Sequence, residues 1–444
     1  MNRFAKIKDI AVLNKETFKK DSFPNIIKYL DTGSLTKNKI EGFQRLNTKS
    51  EKIPSRAQRK VFTNTILYST VRPNQEHYGI IERNFKDVVV STGFTTIDIT
   101  DEKTYPKYIY YLLTQKSITD YLHTIGMNAV SSYPSISPDD IGNLKFRLPD
   151  LPTQKSIAKV LSDLDAKIEL NNKINRELEV MAKTLYDYWF VQFDFPNADG
   201  RPYKSSGGKM VYNAELKREI PEGWEVGTLN DAVSKTGTGL NPRKNFVLGE
   251  GDNYYVTIKS IEQGRVILDN KCDKISDETL KVINKRSDLQ VGDILFTSIE
   301  PVGLTYLIQE VPKNWNINES VFTIRPNYKI VTSEFLYMFL SGDYIKSYTK
   351  NVAAGSIHKG IRHATLKECL FIIPHKELIN YFTKMIRPIL KKLDLLQKQN
   401  QQLSALRDWL LPMLMNGQVA SRASATAESR ASAPTESRAS ATGE

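Results

Sequence analysis

The sequence predicts a mixed α/β protein in which two strand-rich globular domains are separated by two long antiparallel coiled-coil helices, with an internal pseudo-twofold repeat. The first observation behind this prediction is that Leu148–Phe190 matches Ile373–Met415 when it is moved forward by 225 positions, so that Pro149 falls on Pro374. A period of this length indicates a duplicated domain with its helix and not a solenoid. The second observation is that short apolar and β-branched runs, separated by Gly, Asn and Pro, precede each helical stretch. Such runs are typical of strands and turns.

The globular segments upstream of the two helices repeat in the same order, which argues against chance similarity. We expect two domains of about 150 residues each, a common domain size. The matched segments are Tyr29–Leu35 with Val256–Ile261, Asn64–Ser69 with Gly292–Thr297, and Ile109–Leu113 with Leu336–Leu340. The predicted boundaries are 1–148 for the first domain, 149–196 for the first helix, 197–222 for a linker, 223–373 for the second domain, 374–418 for the second helix and 419–444 for a tail.

Two helical stretches, Thr153–Phe190 and Glu377–Asn416, carry apolar residues at alternating three- and four-residue steps. Such stripes are seams for another helix, so we expect an antiparallel pair with one globular domain at each end. Thr153 is the predicted N-cap of the first helix, and Gly417 is expected to end the second. The first stretch corresponds to roughly 57 Å at 1.5 Å per residue. The predicted seam residues are Leu164, Ile168, Asn175, Leu178, Leu185, Leu393, Leu396, Asn400, Leu403 and Leu410.

Asn175 and Asn400 occupy equivalent places in the two seams. A buried Asn costs stability but fixes the register of a helix pair, which matters if the pair is a spacer. The alternative is that both amides face water, and the sequence leaves the two readings open.

Composition places the chain among ordinary soluble proteins, with 444 residues, 40% hydrophobic and 25% charged. No apolar run is long enough to span a membrane, and the N-terminus has no stretch of signal-peptide length. The two cysteines, Cys272 and Cys369, exclude a disulfide framework. We therefore expect a cytoplasmic protein that does not associate with membranes. The net charge of +12 favours a polyanionic partner such as nucleic acid, although mildly basic cytosolic proteins are common.

The sequence contains no pattern for catalysis. Asn241-Pro242-Arg243-Lys244 is not the tetrad of an amino-group methyltransferase, and Gly237-Thr238-Gly239 lacks the third glycine of a dinucleotide loop. There is no P-loop, no nuclease cluster, and no Cys or His grouping with the spacing of a zinc site. We expect no catalytic residue, no metal ligand and no cofactor.

One stretch, Thr36–Lys60, is strongly basic, with eight Lys or Arg residues against two acidic ones. Such a run is often only a solvated surface, but the repeat favours a phosphate-binding edge. The loop Gly355–His363 is basic and flanked by glycine, and its counterpart in the first domain is Ala129–Ser137. Unlike loops in two copies are expected if each copy reads different bases, and also if an idle loop drifts. The candidate DNA-binding residues are Lys37, Lys39, Arg45, Lys49, Lys52, Arg56, Arg59, Tyr133, Lys259, Ser356, Lys359 and Arg362.

These features together resemble the specificity subunit of type I restriction–modification systems. The resemblance rests on the entry Leu148–Pro152 with Gln154, the lead-in Ile220–Trp224 to the second domain, and the alternation of domains and helices from Phe4 to about Val419. It implies two target-recognition domains that read unlike halves of a split DNA site, with half-sites about one duplex turn apart. It also implies two modification subunits that methylate adenine, and motor-nuclease subunits, assembled on the chain. The first domain departs from the pattern because it lacks the Pro-x-Gly-Trp lead-in.

Two other functions stay open at this point. One is a coiled-coil scaffold that binds only protein, and the other is a stand-alone nuclease with an unrecognised site. If the chain bound DNA in a salt-sensitive way, that would argue against the scaffold, and cleavage of DNA by the purified chain would favour the nuclease. The tail from Ser421 onward is three near-copies of an octad without large apolar side chains, which predicts disorder.

Overall fold

The computed structural model of the chain describes residues 3–19, 23–83, 87–128, 134–243, 245–262, 264–269, 271–354 and 360–418. Its contacts divide the chain into two compact units, Met1–Ile168 with Gln402–Glu444, and Glu169–Gln401. Each unit contains one globular domain and part of each long helix. In the described part of the chain, no helix combines the length and the apolar character needed to cross a membrane. The predicted tail, residues 419–444, lies outside the described residues.

The first domain consists of short strands with four short helices, followed by a long one. Its strands are β1 (Arg3–Lys6), β2 (Ala11–Leu13), β3 (Ile26–Leu30), β4 (Leu35–Thr36), β5 (Lys39–Ile40), β6 (Gln44–Asn47), β7 (Ala57–Lys60), β8 (Ile66–Ser69), β9 (Tyr78–Ile80), β10 (Val88–Ser91), β11 (Phe94–Ile99) and β12 (Lys145–Leu148). Its helices are α1 (Ile7–Ile10), α2 (Pro106–Leu113), α3 (Lys116–Met127), α4 (Pro138–Gly142) and α5 (Leu151–Tyr186).

The second domain repeats most of this order of elements after a hairpin of its own, but its first short helix lies in the middle of the domain, at Asp277–Ser287. Its strands are β13 (Met210–Asn213), β14 (Arg218–Pro221), β15 (Glu225–Thr228), β16 (Val233–Thr238), β17 (Asn253–Val256), β18 (Ile261–Glu262), β19 (Arg265–Val266), β20 (Asp273–Ile275), β21 (Ile294–Thr297), β22 (Thr305–Leu307), β23 (Trp315–Ile317), β24 (Val321–Pro326) and β25 (Leu370–Ile373). Its helices are α6 (Asp277–Ser287), α7 (Ser333–Ser341), α8 (Asp343–Ala354), α9 (His363–Lys367) and α10 (Lys376–Met415).

The sheets of the two domains have the same topology. An antiparallel sheet in the order β2-β11-β8-β9 corresponds to β16-β24-β21-β22, and the pair β1-β12 corresponds to β15-β25. A second sheet, β6-β3-β10-β7, corresponds to β20-β17-β23, and each contains one parallel pair, β3 with β10 and β17 with β23. In the described residues, the second domain has no strand that corresponds to β7. The predicted α/β class and the internal repeat are confirmed.

The repeat extends to single side chains at the entry to β8 and β21. Asn64 and Gly292 both have a positive φ, +70° and +93°, which is why residue types that tolerate the left-handed region stand at both places. The next residue in each copy is buried and accepts a backbone hydrogen bond from three residues earlier. Thr65 accepts it from the N–H of Phe62, and Asp293 accepts it from that of Gln290. The segments matched in the sequence therefore occupy equivalent elements.

The segment predicted as a linker folds onto the second domain. After α5 the chain makes a π-helical turn, Asp187–Val191, and Phe195 then stacks on the ring of Trp224 with a centroid distance of 5.2 Å. The ring of Tyr203 also stacks on Phe195, with a centroid distance of 4.6 Å. The antiparallel hairpin β13–β14 follows. The connection is therefore an ordered part of the second unit.

The long helices begin and end close to the predicted residues. The predicted cap Thr153 is wrong, because α5 begins at Leu151 and the carboxylate of Asp150 accepts the N–H of Thr153 at 2.9 Å. At the C-terminus of α10, Gly417 has a φ of +71° and the N–H of Gln418 donates to the carbonyl of Met413. This is the geometry of a glycine that terminates a helix, as predicted.

In each unit the parts of α5 and α10 run antiparallel. In the second unit, Asn171 pairs with Asn400, whereas Tyr186, farther along α5, contacts Phe382, which is earlier on α10. All ten predicted seam residues are buried or half-buried. The antiparallel helix pair of the fold class is confirmed.

Candidate nucleic-acid interface and helix junctions

The basic segment Thr36–Lys60 runs from one edge of a sheet to the other. β6 and β7 are the two edge strands of the sheet β6-β3-β10-β7, and they carry Arg45 and Arg59. Lys49, Lys52 and Arg56 lie on the connection between these strands, and all three are exposed. The fold thus collects most of the basic side chains around a single sheet.

Three of the five lysine side chains in this segment, those of Lys39, Lys49 and Lys52, have no hydrogen-bond or ion-pair partner among the described residues. Two other basic side chains of the segment, those of Lys37 and Arg59, have partners within the domain. The Lys37 ammonium contacts the Glu76 carboxylate at 2.8 Å. The guanidinium of half-buried Arg59 donates to the carbonyl of Phe94, and burial lowers its pKa. The unpartnered ammonium groups are the best candidates for phosphate contacts, because binding them requires no internal bond to break.

The two candidate reading loops are anchored at the same place in their domains. In the first domain, the N–H of Ile136 donates to the carbonyl of Thr70 at 2.9 Å. In the second, the N–H of Ile361 donates to the carbonyl of Ser298 at 2.8 Å. Thr70 follows β8 and Ser298 follows β21, so each loop returns beside equivalent strands. The candidates Tyr133, Ser356 and Lys359 lie outside the described residues.

Arg362 ends the second loop and occupies the N-cap position of α9 with an extended backbone. Its side chain is exposed, and it has no partner among the described residues. The equivalent position in the first domain is Ser137, whose hydroxyl caps α4 by accepting the N–H of Asp140. The same backbone position therefore carries a free cation in one copy and a helix cap in the other.

Lys259 lies in a single 3₁₀ turn, Ile258–Ser260, and is exposed. A further cation, Arg72, was missed in the sequence. It is exposed, and its N–H donates to the carbonyl of Pro134 at the anchor of the first loop. The repeat could have revealed it, because Arg72-Pro73 matches Glu300-Pro301 at the anchor of the second loop. Opposite charges at equivalent loop anchors distinguish the two domains.

In the first unit, a polar network joins both helices to the globular domain. The guanidinium of Arg407 on α10 donates to the carboxylate of Asp165 on α5 at 2.8 Å. The hydroxyl of Tyr111 on α2 donates to the other oxygen of that carboxylate at 2.6 Å. Burial disfavours the charged form of Arg407, but the hydrogen bond and charge of Asp165 outweigh burial and raise its pKa. Burial and the adjacent Asp165 also raise the pKa of Tyr111.

At the equivalent junction in the second unit, the three positions of this network carry apolar side chains. By the 225-residue shift, Asp165 corresponds to Leu390 and Arg407 to Ala182, while Tyr111 corresponds to Met338 in the matched helices. All three replacements are buried. The two copies thus use opposite chemistry to hold a domain against its helices.

Breaking the network in the first unit is expected to destabilise it. Arg407→Met leaves the Asp165 carboxylate without its cation, which costs several kcal/mol when a pair is fully buried. Because both side chains are about one-quarter to one-third exposed, we expect a loss of about 2 kcal/mol in the free energy of unfolding. The triple variant Tyr111→Phe/Asp165→Leu/Arg407→Met removes the whole network and should recover most of that loss. Calorimetric melting measures both, and a triple variant no more stable than Arg407→Met would contradict the expectation.

The seam between the helices has a polar layer in the second unit. The amide of Asn171 donates to the side chains of Gln399 and Asn400, each at 2.9 Å, and Asn400 donates to Asn172. Asn175 is also buried, but neither its amide nitrogen nor its oxygen has a partner among the described residues. Of the two readings left open by the sequence, the structure therefore places both amides in the seam and not in water.

The two equivalent asparagines should respond oppositely to the same substitution. Asn175→Leu removes a buried amide that has no bond, so it should raise the free energy of unfolding by about 1 kcal/mol or more. Asn400→Leu leaves Asn172 without its donor and Asn171 with Gln399 alone, so it should lower that free energy by about 1–3 kcal/mol. Calorimetry on both variants tests this, and two shifts of the same sign would be the contrary result.

Exposed apolar side chains stand at equivalent places on the two long helices. Leu170 on α5 is 50% exposed, and its counterpart Leu395 on α10 is 58% exposed. The pairs Val160 with Met385 and Met181 with Leu406 are exposed in the same way. An exposed apolar residue is unremarkable by itself, but three pairs at repeat-equivalent positions indicate a surface that the duplication preserved twice.

The described residues contain no group of three or more His, Cys, Asp or Glu side chains that could hold a metal ion.

Comparison with known proteins shows the family of the chain. Residues 2–180 and 221–405 match the family model described as type I restriction modification DNA specificity domain. The chain belongs to this family. The two matched ranges follow the two copies of the repeat, and the basic segment Thr36–Lys60 and both candidate reading loops lie within them.

Several specificity subunits are similar to this chain along most of its length. It is 26% identical over 461 residues to the type I restriction enzyme HindI specificity subunit of Haemophilus influenzae, covering 93% of this chain and 98% of that protein. It is 27% identical over 346 residues to the MjaIX specificity subunit of Methanocaldococcus jannaschii, covering 77% and 75%. The crystal structure of the type I restriction–modification S subunit from M. genitalium has the same fold, with a TM-score of 0.58, 16% identity, and 93% and 96% coverage. The family predicted from the sequence is confirmed.

Proposed function

We propose that this specificity subunit reads a bipartite, asymmetric DNA site and docks two adenine-methylating modification subunits, together with motor-nuclease subunits. The observation that carries the proposal is the unlike chemistry of the two copies at equivalent loop positions. Arg72 of the first domain corresponds to Glu300 of the second, and Ser137 of the first corresponds to Arg362 of the second. Side chains that differ at the same backbone position present different donors and acceptors, so the two domains should select different half-sites. The chain itself contributes recognition and no catalysis, and it acts on DNA in the cytoplasm.

The proposed phosphate contacts in the first domain rest on exposure and charge. Lys39, Lys49 and Lys52 carry ammonium groups that no described residue neutralises. Lys and Arg at such positions release counterions from the duplex when they bind, which gives affinity without sequence preference. We assign recognition of the DNA sequence to the two anchored loops, because sequence is read on base edges and not on phosphates.

Two copies of one partner are favoured by the matched exposure on the long helices. A surface that occurs twice in one chain fits a partner that binds twice, and the exposed apolar positions are the same three in each helix. The modification subunit is the partner that must sit near both half-sites to methylate them. We therefore assign Leu170 and Leu395, with their neighbours in the repeat, to its contacts.

Mapping methylated adenines tests the proposed function directly. The full chain and its cognate modification subunit are expressed in a host that lacks adenine methylation, and the modified positions are read across the host genome. The expected result is one motif made of two unlike short blocks separated by a fixed unread gap. A single contiguous motif, or no methylation by a complex that does assemble, would overturn the proposal.

Removing two of the free ammonium groups should weaken DNA binding without changing its preference. Lys49→Ala/Lys52→Ala loses up to two phosphate contacts, so the slope of log affinity against log salt should flatten by about 2. Binding of the assembled complex to cognate and random duplexes at several salt concentrations measures both. Lys37→Ala is the matched control, because its ammonium is paired with Glu76 and should contribute less. A loss confined to the cognate duplex would reassign these lysines to base reading.

A further inference from the structure

The second unit contains a cavity of about 360 Å³ between its globular domain and its parts of the two long helices. Ala182 of α5 and Leu390 of α10 line one side, and Met338 of α7 and Thr305 of β22 line the other. Cavities of this size are large enough for a long side chain or a small ligand. Its lining includes the exposed side chains of Glu179, Lys183 and Lys346, so a group of a partner can enter it from solvent.

The internal repeat shows what fills this place in the other copy. There, the guanidinium of Arg407 and the hydroxyl of Tyr111 both donate to Asp165, and Tyr78 lies near enough for the charge of Arg407 to affect its pKa. The strand pairing makes Thr305 the counterpart of Tyr78, since Tyr78 pairs with Tyr68 and Thr305 pairs with the equivalent Phe296. The second copy therefore has Thr, Met and Ala where the first has Tyr, Tyr and Arg. All three substitutions shorten the side chain, and the cavity lies where those side chains are missing.

The lining of the cavity favours a cation. It carries three carboxylates, Glu179, Asp187 and Asp394, against the ammonium groups of Lys183 and Lys346. Asp187 is bound by Lys183, and Asp394 is bound by Lys398 at 2.7 Å. Lys183 also contacts Asp343, so its charge is already shared between two carboxylates.

Glu179 is exposed, and of these three carboxylates it is the one that has no ion-pair or hydrogen-bond partner among the described residues. Desolvation raises the pKa of Glu179 above its ordinary value, although the charges of Arg265 and Arg176 act in the opposite direction. Desolvation makes the charged form of this carboxylate less stable, and a positive group that enters beside it would offset that loss.

We propose that this cavity receives an arginine side chain of the modification subunit, in the place that Arg407 fills in the first unit. The proposal rests on the proposed function, because it names a contact of the partner assigned there. Arginine fits the site better than lysine does, since its planar guanidinium can bind a carboxylate and stack on the Tyr337 ring of the lining. Buried arginine anchors in pockets are among the contacts that dominate binding energy at protein interfaces.

The test compares variants of the full chain in titration with the purified modification subunit. Ala182→Phe fills the cavity, and Ala182→Arg supplies the missing side chain from within the chain. Each is expected to raise the Kd for the modification subunit at least tenfold, while melting temperature verifies folding. Ala405→Phe is the matched control, because Ala405 is an exposed alanine on α10 outside the cavity. It should leave the Kd unchanged.

A second pair of measurements identifies the incoming group. Glu179→Gln removes the carboxylate with little change in shape and should also raise the Kd at least tenfold. Arginines of the modification subunit are then replaced one at a time by glutamine. One of them should weaken binding to the native chain tenfold or more and have no further effect on Ala182→Arg.

Unchanged affinity in both folded Ala182→Phe and Glu179→Gln would overturn the inference. So would an arginine scan in which every replacement that weakens binding to the native chain weakens binding to Ala182→Arg by the same factor. If Ala182→Phe does not fold, Glu179→Gln and the scan decide the question. These outcomes are distinct from failure of the proposed function, in which the native chain itself binds no modification subunit or the assembled complex methylates no adenine.

Discussion

Replacing Leu170 or Leu395 by aspartate is expected to reduce the modification subunits bound per chain from two to one, and replacing both should abolish assembly. The two leucines occupy equivalent positions of α5 and α10 and are at least half exposed, so neither substitution disturbs the interior. Burying aspartate in an apolar contact loses the transfer free energy of leucine, about 2 kcal/mol, and adds the cost of desolvating a carboxylate. A total of about 3 kcal/mol or more corresponds to an affinity loss of roughly 100-fold or greater.

Light scattering coupled to size-exclusion chromatography gives the stoichiometry for each variant. The control is Val180→Asp, since Val180 is exposed on the same helix but its counterpart Ala405 is small, so the repeat does not preserve an apolar surface there. Val180→Asp should still bind two copies. If both single variants retained two copies, or if a single variant lost both, the assignment of one docking surface to each helix would be wrong.

The elements that sequence predicted well are those set by local pattern over long stretches. The two long helices follow from their three- and four-residue spacing, and the repeat follows from matched residues such as Pro149 and Pro374. Both signals are redundant, so a few substitutions do not erase them. The cap of α5 was misplaced by three residues, because Asp150 and Thr153 are equally good capping types and only backbone geometry distinguishes them.

The candidate site was less predictable because it depends on distant pairing. Nothing in the order of residues shows that β6 and β7 form opposite edges of one sheet, yet this sets where Arg45 and Arg59 lie. Nor does the sequence show that the guanidinium of Arg59 donates a hydrogen bond to the carbonyl of Phe94. Arg72 was missed for a related reason. Its importance comes from a bond to Pro134, more than sixty positions away.

The two junctions show how a repeat can be read beyond the elements it predicts. Once strand pairing has established which positions are equivalent, each side chain of one copy can be compared with its counterpart in the other. Asp165 with Arg407 and Leu390 with Ala182 are two solutions at equivalent positions, and Ala182 and Leu390 line the cavity of the second unit. Such comparison needs the structure, because Tyr78 and Thr305 are aligned by strand pairing and not by any local likeness.

Arg362→Ala is expected to relax one position of one half-site and to leave the other half-site intact. Arg362 is exposed at the end of an anchored loop in the second domain, with no partner among the described residues. A bidentate contact from arginine to guanine is worth about 1–3 kcal/mol of discrimination, so preference at that position should fall by roughly 5- to 150-fold. Its counterpart Ser137 already serves as a helix cap, so Ser137→Ala is expected to lower stability and not base preference.

The measurement is methylation by the assembled complex across a library in which both half-sites are randomised. Arg362→Lys is the sharper control, because it keeps the charge but loses the planar fork that reads two acceptors at once. It should retain overall affinity and lose most of the discrimination. A uniform drop in methylation over all sequences for Arg362→Ala would assign Arg362 to the phosphate backbone. An unchanged profile would make it an idle surface residue, and in either case the reading contact of the second domain would have to come from elsewhere.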